Sequence, residues 1–228
     1  MIQEFQIRLN YRILLLLVLS ALPIQLVAAI SLPSPRTEIG FSAHLLINEA
    51  PFPGERAYVS EADTMQAMDS ILNVLVARLA YVPEPYRQRD VAAVTTDNIF
   101  DIITAGGVRG QVDGFYRDSN GHLMVVSRVT ERTDNLVRIA NTGQPGRFAR
   151  LLNHAVSVSS DFVRRSSVPY DPYSRLAVVD GIRVTGRAYS WMTDQSFYHP
   201  GGNFVRISDA NQGAHGGNRF FTLRSNPK

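Results

Sequence analysis

The chain has 228 residues, with 23 basic and 20 acidic side chains and a formal net charge of +3. This charge is too small to favour nucleic acid or an anionic membrane surface as the partner. The sequence contains no cysteine, which excludes cysteine nucleophiles and thiolate metal sites, while the length suffices for one domain with a hydrophobic core.

Residues 1–29 have the pattern of a signal peptide. Arg8 and Arg12 precede an apolar run that ends in the small residues "VAA". The run contains a proline and is short for a membrane span. We therefore predict an exported protein of the periplasm, cell envelope or extracellular space. The alternative is an uncleaved N-terminal anchor, which would be its contact with a membrane.

The predicted domain spans residues 42–228 and follows a lead-in segment, residues 30–41, that contains proline and serine. A short helix is predicted over residues 42–49. Ser42 is a suitable N-cap, and the prolines at positions 51 and 53 end the helix.

The clearest element is a long helix that begins at Ser60 and ends before Pro83. Ser60 and Asp63 have the spacing of a capping box. Apolar residues then recur at helical spacing, at Met65, Met68, Ile71, Leu72, Leu75 and Leu79. This apolar face predicts a helix packed in the core, where Asn73 is expected to be a buried hydrogen-bonding residue.

The rest of the chain predicts helices first and strands last. A short helix is expected over residues 96–105, and the Asn120-Gly121 pair indicates a hairpin between Phe115 and residues 123–126. Periodicity and turn residues predict the further segments: helices over 131–141 and 145–164, separated by Gly143; strands within 176–192 and 218–224; and a long loop over 199–218. This order predicts an α+β fold.

Several common chemistries have no motif in this chain. G-x-S-x-G is absent, and the stretch "GGVRGQ" lacks the lysine of a phosphate-binding loop and is interpreted as a turn. The five histidines show no close metal-ligand spacing, so each is interpreted as a surface or loop residue, and no metal or cofactor is predicted. Histidines distant in sequence can still converge, which leaves a metal-dependent amidase as an alternative.

Aromatic residues cluster in the second half of the chain, in "GFYRD", "AYSWM", "SFYHPGGNF" and "RFF". Such residues commonly fill cores and strands. Aromatic rings in glycine-rich loops, such as Tyr198 and Phe204, also suit a platform on which sugar rings stack.

Short motifs in three regions of the chain, in the same order, resemble the SleB-type cell wall hydrolases, the family of the spore-cortex lytic enzymes. "LLINEA", "PGE" and "AMDSILNVLVARL" are similar to the family's apolar helix ending in Glu-Ala, its Gly-Glu step and its following helix. "FDIITAGGVRGQVDGFYRD" is similar to the segment that leads to Gln-Phe, and "GRAYSWM" with "GGNRFF" is similar to the closing strands. The likeness is scattered over residues 45–223.

The chain departs from the family pattern at three places, which identifies it as a divergent member. Val74 follows Asn73 where the family has Asn-Arg, and Val112 follows Gln111 where the family has Gln-Phe. Six residues are inserted between the Glu-Ala pair and the long helix.

The resemblance implies a lysozyme-like α+β fold and cleavage of the MurNAc–GlcNAc glycan strands of peptidoglycan by a lytic transglycosylase route. That route needs one glutamic acid with a raised pKa, which protonates the glycosidic oxygen and then deprotonates the MurNAc 6-hydroxyl. Two-carboxylate hydrolysis needs a second acidic group, for which Asp113 is the candidate.

Two glutamates compete for the catalytic role. Ungapped counting from the long helix places the family's acid at Glu55, whereas local context, an apolar helix followed by alanine, places it at Glu49. An acid at the end of a core-packed helix is held rigidly and can be partly desolvated, which raises its pKa. Glu55 has Arg56 beside it. We therefore predict Glu49 as the acid, with Glu55 as the alternative or as a group that orients Glu49 or binds substrate.

Gln111 and Tyr116 follow a glycine-rich turn and are predicted to bind acetamido or hydroxyl groups of the substrate; a plain hairpin is the alternative. The predicted partner is the peptidoglycan glycan strand. The alternative function is that of a non-catalytic glycan-binding or structural envelope protein on the same fold.

Overall fold

A computed structural model of the chain describes residues 29–142, 145–194, 196 and 200–227. The predicted signal peptide, apart from its last residue, lies outside the described residues, as do Gly143 and Tyr198. The α-helices are α1 (Glu38–Glu49), α2 (Glu61–Ala80), α3 (Gln88–Ala92), α4 (Ile99–Thr104), α5 (Ser127–Thr142) and α6 (Pro145–Val163).

The strands form small antiparallel sheets. They are β1 (Phe115–Arg117), β2 (Leu123–Val125), β3 (Val178–Val179), β4 (Ile182–Arg183), β5 (Ser190–Thr193), β6 (Phe204–Arg206), β7 (Ala214–His215) and β8 (Asn218–Leu223). Hairpins join β1 to β2 and β3 to β4, while β8 pairs with β5, β6 and β7. The predicted α+β class is confirmed.

Helix α1 lies at the centre of the core. Every residue from Gly40 to Ile47 is buried, and the helix packs against α6, α5 and α2. Phe41 makes edge-to-face contacts with Phe100 and Phe115, at ring-centroid distances of 6.1 and 5.2 Å. A mostly apolar helix without a polar face is typical of such a buried position.

The predicted start of α1 is wrong. The helix begins at Glu38, and Thr37 is the N-cap, with its hydroxyl accepting a hydrogen bond from the Gly40 N–H at 3.1 Å. The predicted N-cap, Ser42, is buried inside the helix. The end of the predicted lead-in segment is therefore helical. Because α1 is buried on several sides, its sequence lacks the amphipathic spacing that would place its first turn, and the local signal was the pair Thr37-Glu38.

The predicted long helix is confirmed as α2, from Glu61 to Ala80, and its capping box forms only in half. The Ser60 hydroxyl accepts from the Asp63 N–H at 3.1 Å, but the Asp63 carboxylate accepts from the Gly216 N–H at 2.9 Å. The predicted buried role of Asn73 is confirmed, since its Nδ2 donates to the Tyr170 carbonyl at 3.0 Å.

The remaining elements mostly follow the sequence. The hairpin, α5 and α6 are present, α5 begins at Ser127 rather than position 131, and α4 spans Ile99–Thr104 with Asn98 as N-cap. The predicted long loop over residues 199–218 is wrong where β6 and β7 form. These short strands exist because β8 offers them backbone partners, which a local pattern does not reveal.

Replacing Gly40 by alanine is expected to destabilise the protein by at least about 2 kcal/mol. A Cβ atom at this position would lie 2.0 Å from the Ser34 carbonyl oxygen, so α1 or the preceding turn must shift. The measurement is the free energy of unfolding from urea denaturation. Gly146→Ala in α6 is the matched control, because its Cβ would meet only the flexible end of Arg150, at 3.3 Å. Equal stability of the two variants would contradict the prediction.

Candidate active site

Glu49 is the last residue of α1, and two hydrogen bonds hold this end of the helix in place. The Ala50 N–H donates to the Leu46 carbonyl at 3.1 Å, which closes the last helical turn. The Asn218 Nδ2 of β8 donates to the Glu49 carbonyl at 2.7 Å. The helix end therefore lies fixed against the C-terminal sheet.

The Glu49 residue is half-buried, and its carboxyl group accepts hydrogen bonds from two neighbouring side chains. The Trp191 Nε1 donates to its Oε2 at 3.1 Å, and the Asn48 Nδ2 donates to its Oε1 at 3.0 Å. Burial raises the pKa of Glu49 above its ordinary value, against the lowering effects of these two hydrogen bonds and of the positive charges of Arg132 and Arg128. A larger fraction of this carboxyl group therefore holds a proton at a given pH than in water.

Glu49 opens onto a cleft of about 460 Å³, a volume within the usual range of small-molecule sites. The cleft is lined by residues from α2, α3, the turn after α4, β5 and β6, among them Arg78, Asp90, Gln111, Asp113, Trp191 and Phe204. Aromatic, amide and charged groups thus surround one desolvated carboxyl group. A raised pKa in a cleft is typical of a general acid.

Gln111 reaches the cleft through the turn after α4. Its backbone N–H donates to the Ala105 carbonyl at 2.8 Å, and this close return requires Gly110, where a Cβ would lie 2.0 Å from that oxygen. Tyr116 lies further along in β1, opposite Met124, and is not among the residues that line the cleft. The structure thus places Gln111, and not Tyr116, in the lining of the cleft that contains Glu49.

Glu55 lies outside the cleft lining and faces Arg132 of α5. Its Oε1 and Oε2 accept from the Arg132 Nη2 at 2.9 and 2.8 Å, and Oε2 also accepts from the Phe52 N–H at 2.7 Å. The same guanidinium donates to the carbonyls of Ala50, at 3.1 Å, and Ile47. Arg132 therefore satisfies carbonyl groups at the end of α1, and Glu55 holds Arg132 in place.

Arg78 is a site residue that the sequence reasoning missed. It projects from α2, is 5% exposed, and donates from Nε to the Tyr189 carbonyl at 2.6 Å and from Nη1 to the Gln111 Oε1 at 3.1 Å. Its guanidinium carbon lies 5.6 Å from the Trp191 ring centroid. Burial lowers the pKa of Arg78 to about 10, so it remains cationic at neutral pH. The available signal was a lone charge within the apolar face of the long helix.

Trp191 was also missed as an individual residue, because the aromatic cluster "AYSWM" fits strand filling equally well. Trp191 lies in β5, and its side chain lines the cleft and donates to Glu49. It is the only tryptophan of the chain, which was the available signal. Phe204, predicted as a platform aromatic, lines the same cleft.

The candidate second carboxylate, Asp113, also lines the cleft. Its Oδ2 lies 2.6 Å from the Arg128 Nη2, and both side chains are more than half exposed. Asp113 is thus an exposed, ion-paired carboxylate at the cleft, in an environment different from that of Glu49.

The prediction that all histidines are surface or loop residues is wrong for two of them. His44 is buried in α1, with Nδ1 2.7 Å from the Gly40 carbonyl, and His215 is buried in β7, with Nδ1 3.7 Å from an Asp63 carboxylate oxygen. Both fill positions in the packed interior. Among the residues that the structure describes, no group of three or more His, Asp or Glu side chains is arranged to hold a metal ion.

Comparisons of the chain with protein-family models, with curated proteins and with solved structures find no match. The resemblance to the SleB-type hydrolases therefore rests on the sequence motifs and stays a prediction. Within the described part of the chain, no helix is long and apolar enough to cross a membrane.

Proposed function

We propose that this protein cleaves the MurNAc–GlcNAc glycan strands of peptidoglycan as a lytic transglycosylase, on a lysozyme-like α+β fold. The observation that carries the proposal is the Glu49 carboxyl group, which is desolvated at a cleft and held by Trp191 and Asn48. The motifs that resemble the SleB-type family and the predicted signal peptide support the same substrate, which lies outside the cytoplasmic membrane.

The proposed reaction uses the two protonation states of Glu49 in turn. The neutral acid donates its proton to the glycosidic oxygen as the bond from the MurNAc anomeric carbon breaks. The resulting carboxylate accepts the proton of the MurNAc 6-hydroxyl, whose oxygen attacks the same anomeric carbon. The products are a 1,6-anhydro-MurNAc end and a free GlcNAc 4-hydroxyl, and Glu49 is protonated again.

In this proposal, other side chains of the cleft bind the sugar rings and their polar substituents. The indole ring of Trp191 and the ring of Phe204 offer apolar faces for sugar rings. Gln111 presents an amide group whose oxygen is oriented by Arg78, which leaves its amide N–H groups for acetamido or hydroxyl oxygens.

Hydrolysis is a second candidate reaction, because Asp113 lines the same cleft as Glu49. In that reaction Asp113 would activate a water molecule or attack the sugar, as two-carboxylate glycosidases do. Asp113 is exposed and forms an ion pair with Arg128, so in this reaction it would be the base or nucleophile and Glu49 the acid.

Product analysis distinguishes the candidates. Purified protein and its Asp113→Asn variant are incubated with peptidoglycan, and the soluble products are analysed by mass spectrometry. We expect 1,6-anhydro ends from both proteins, because the transglycosylase route does not use Asp113. Reducing ends that disappear in Asp113→Asn would establish hydrolysis instead. Intact glycan with both folded proteins would leave the glycan-binding alternative, and free stem peptides with intact glycan would indicate an amidase.

A further inference from the structure

The cleft contains a buried cation with no anionic partner. Arg78 is 5% exposed, and its hydrogen bonds go to neutral groups, the Tyr189 carbonyl and the Gln111 side-chain oxygen. In the part of the chain that the structure describes, Arg78 forms no ion pair with a carboxylate. The acidic groups of the cleft have other partners: Arg128 for Asp113, Arg87 for Asp90, and Trp191 and Asn48 for Glu49.

A buried charge without a partner is costly, and proteins normally pair it or use it. The two neutral hydrogen bonds hold the guanidinium in place without neutralising it, since an arginine carries five N–H donors. Arg78 lines the cleft directly. Its position therefore suits an anion that enters with the ligand, and the planar guanidinium matches a carboxylate best.

Trp191 contacts both the Arg78 guanidinium and the carboxyl group of Glu49, the proposed acid. The indole Nε1 donates to Glu49 at 3.1 Å, while the Arg78 guanidinium carbon lies 5.6 Å from the centre of the same ring. Glu49 and Arg78 thus contact one side chain, so a single sugar residue can meet both. In MurNAc, the anomeric carbon and the 3-O-lactyl group belong to the same ring.

We propose that Arg78, oriented by Gln111, binds the free lactyl carboxylate of the MurNAc residue being cleaved, so that the preferred substrate is glycan from which the stem peptide has been removed. This inference rests on the proposed function. In peptide-bearing glycan the lactyl group is an amide, which is neutral and leaves Arg78 buried and unpaired. In GlcNAc oligomers the group is missing altogether.

The test measures binding, so that turnover does not interfere. Glu49→Gln protein is titrated by calorimetry with glycan fragments of equal length: peptide-free (GlcNAc–MurNAc) oligomers, the same oligomers with the lactyl group capped as a simple amide, oligomers bearing stem peptides, and GlcNAc oligomers. We expect the peptide-free fragments to bind about 10- to 100-fold more tightly than the amide-capped and GlcNAc fragments, the range of a charge-assisted hydrogen bond. Equally tight binding of the stem-peptide fragments would assign the carboxylate to the peptide and overturn the lactyl assignment.

Two further substitutions, each made in the Glu49→Gln protein, test the role of Arg78. The affinities of the Arg78→Met variant for all the fragments are expected to agree within about threefold. Gln111→Glu is made at an exposed position and places a carboxylate on Arg78, so it should remove the preference without disturbing the fold. Arg138→Met, an exposed arginine of α5 paired with Asn135, is the charge-matched control and should keep the preference.

The outcomes separate this inference from the proposed function. Equal binding of amide-capped and peptide-free fragments, or an unchanged preference in Gln111→Glu and folded Arg78→Met, would overturn the inference and leave glycan cleavage standing. Absence of binding to every glycan fragment by the folded protein would overturn both.

Discussion

Replacement of Glu49 by glutamine is expected to lower kcat/KM for peptidoglycan cleavage by about 10²- to 10⁴-fold, the usual contribution of a general acid–base group. Glutamine keeps the shape of the side chain and can still accept the hydrogen bond from Trp191, but it has no proton to donate to the glycosidic oxygen. The measurement is the initial rate at which soluble fragments are released from purified peptidoglycan.

The pH dependence of this reaction follows from the burial that raises the pKa of Glu49. The first step needs the protonated acid, so wild-type activity is expected to fall as the pH rises through the raised pKa. The residual activity of Glu49→Gln should lack this alkaline limb. Glu55→Gln should retain the rate within a few-fold; if Glu55→Gln loses activity and Glu49→Gln keeps it, the assignment of the acid is wrong.

The pH dependence of the free energy of unfolding tests independently whether the Glu49 carboxyl group is desolvated. Its pKa is raised in the folded state, so the protonated group contributes fully to stability below the pKa of the unfolded chain, and this contribution is lost as the pH rises through the folded-state pKa. Glutamine does not ionise. As the pH rises from the ordinary pKa of a glutamic acid through the raised folded-state pKa, the free energy of unfolding should therefore fall more for the wild type than for Glu49→Gln. Parallel curves would show that Glu49 is not desolvated.

Replacement of Arg132 by methionine is expected to lower the free energy of unfolding by about 2 kcal/mol. The guanidinium is the hydrogen-bond donor to the carbonyls of Ile47 and Ala50 at the end of α1, and these groups would lose a charged partner. The ion pair with Glu55 adds little, because it is partly exposed to solvent. Urea denaturation measures the change.

Arg132→Met is also expected to reduce activity at neutral pH by loosening the segment that carries Glu49. Its positive charge lowers the pKa of Glu49, so removal should move the alkaline limb of the pH–rate profile to higher pH. Glu55→Gln is the matched control: it keeps the guanidinium and should change the free energy of unfolding by less than about 1 kcal/mol. If Glu55→Gln destabilises the protein as much as Arg132→Met does, then the ion pair, and not the hydrogen bonds to the carbonyls, holds the end of α1.

The sequence by itself determined the features whose causes are local. The apolar spacing and the Ser60 N-cap predicted α2, the Asn120-Gly121 pair predicted the β1–β2 hairpin, and the order of patterns predicted the α+β class. Each depends on residues a few positions apart, where helical periodicity and turn conformation act directly. The end of an apolar helix at Glu49 was visible for the same reason.

The start of α1 and the strands β6 and β7 were decided by the tertiary structure. Burial of α1 on several sides removed the amphipathic pattern that would mark its first residue. β6 and β7 are short segments whose backbone groups find partners only because β8, later in the chain, lies beside them.

The environment of the candidate acid likewise came from the tertiary structure alone. Trp191 lies 142 positions from Glu49, Tyr189 lies 111 positions from Arg78, and Arg132 lies 77 positions from Glu55. Desolvation and hydrogen bonding depend on which atoms are brought within a few ångströms by packing, and no local pattern encodes distances of this kind. The chain thus indicated a carboxyl group at the end of a helix, and the fold gave it the burial that raises its pKa.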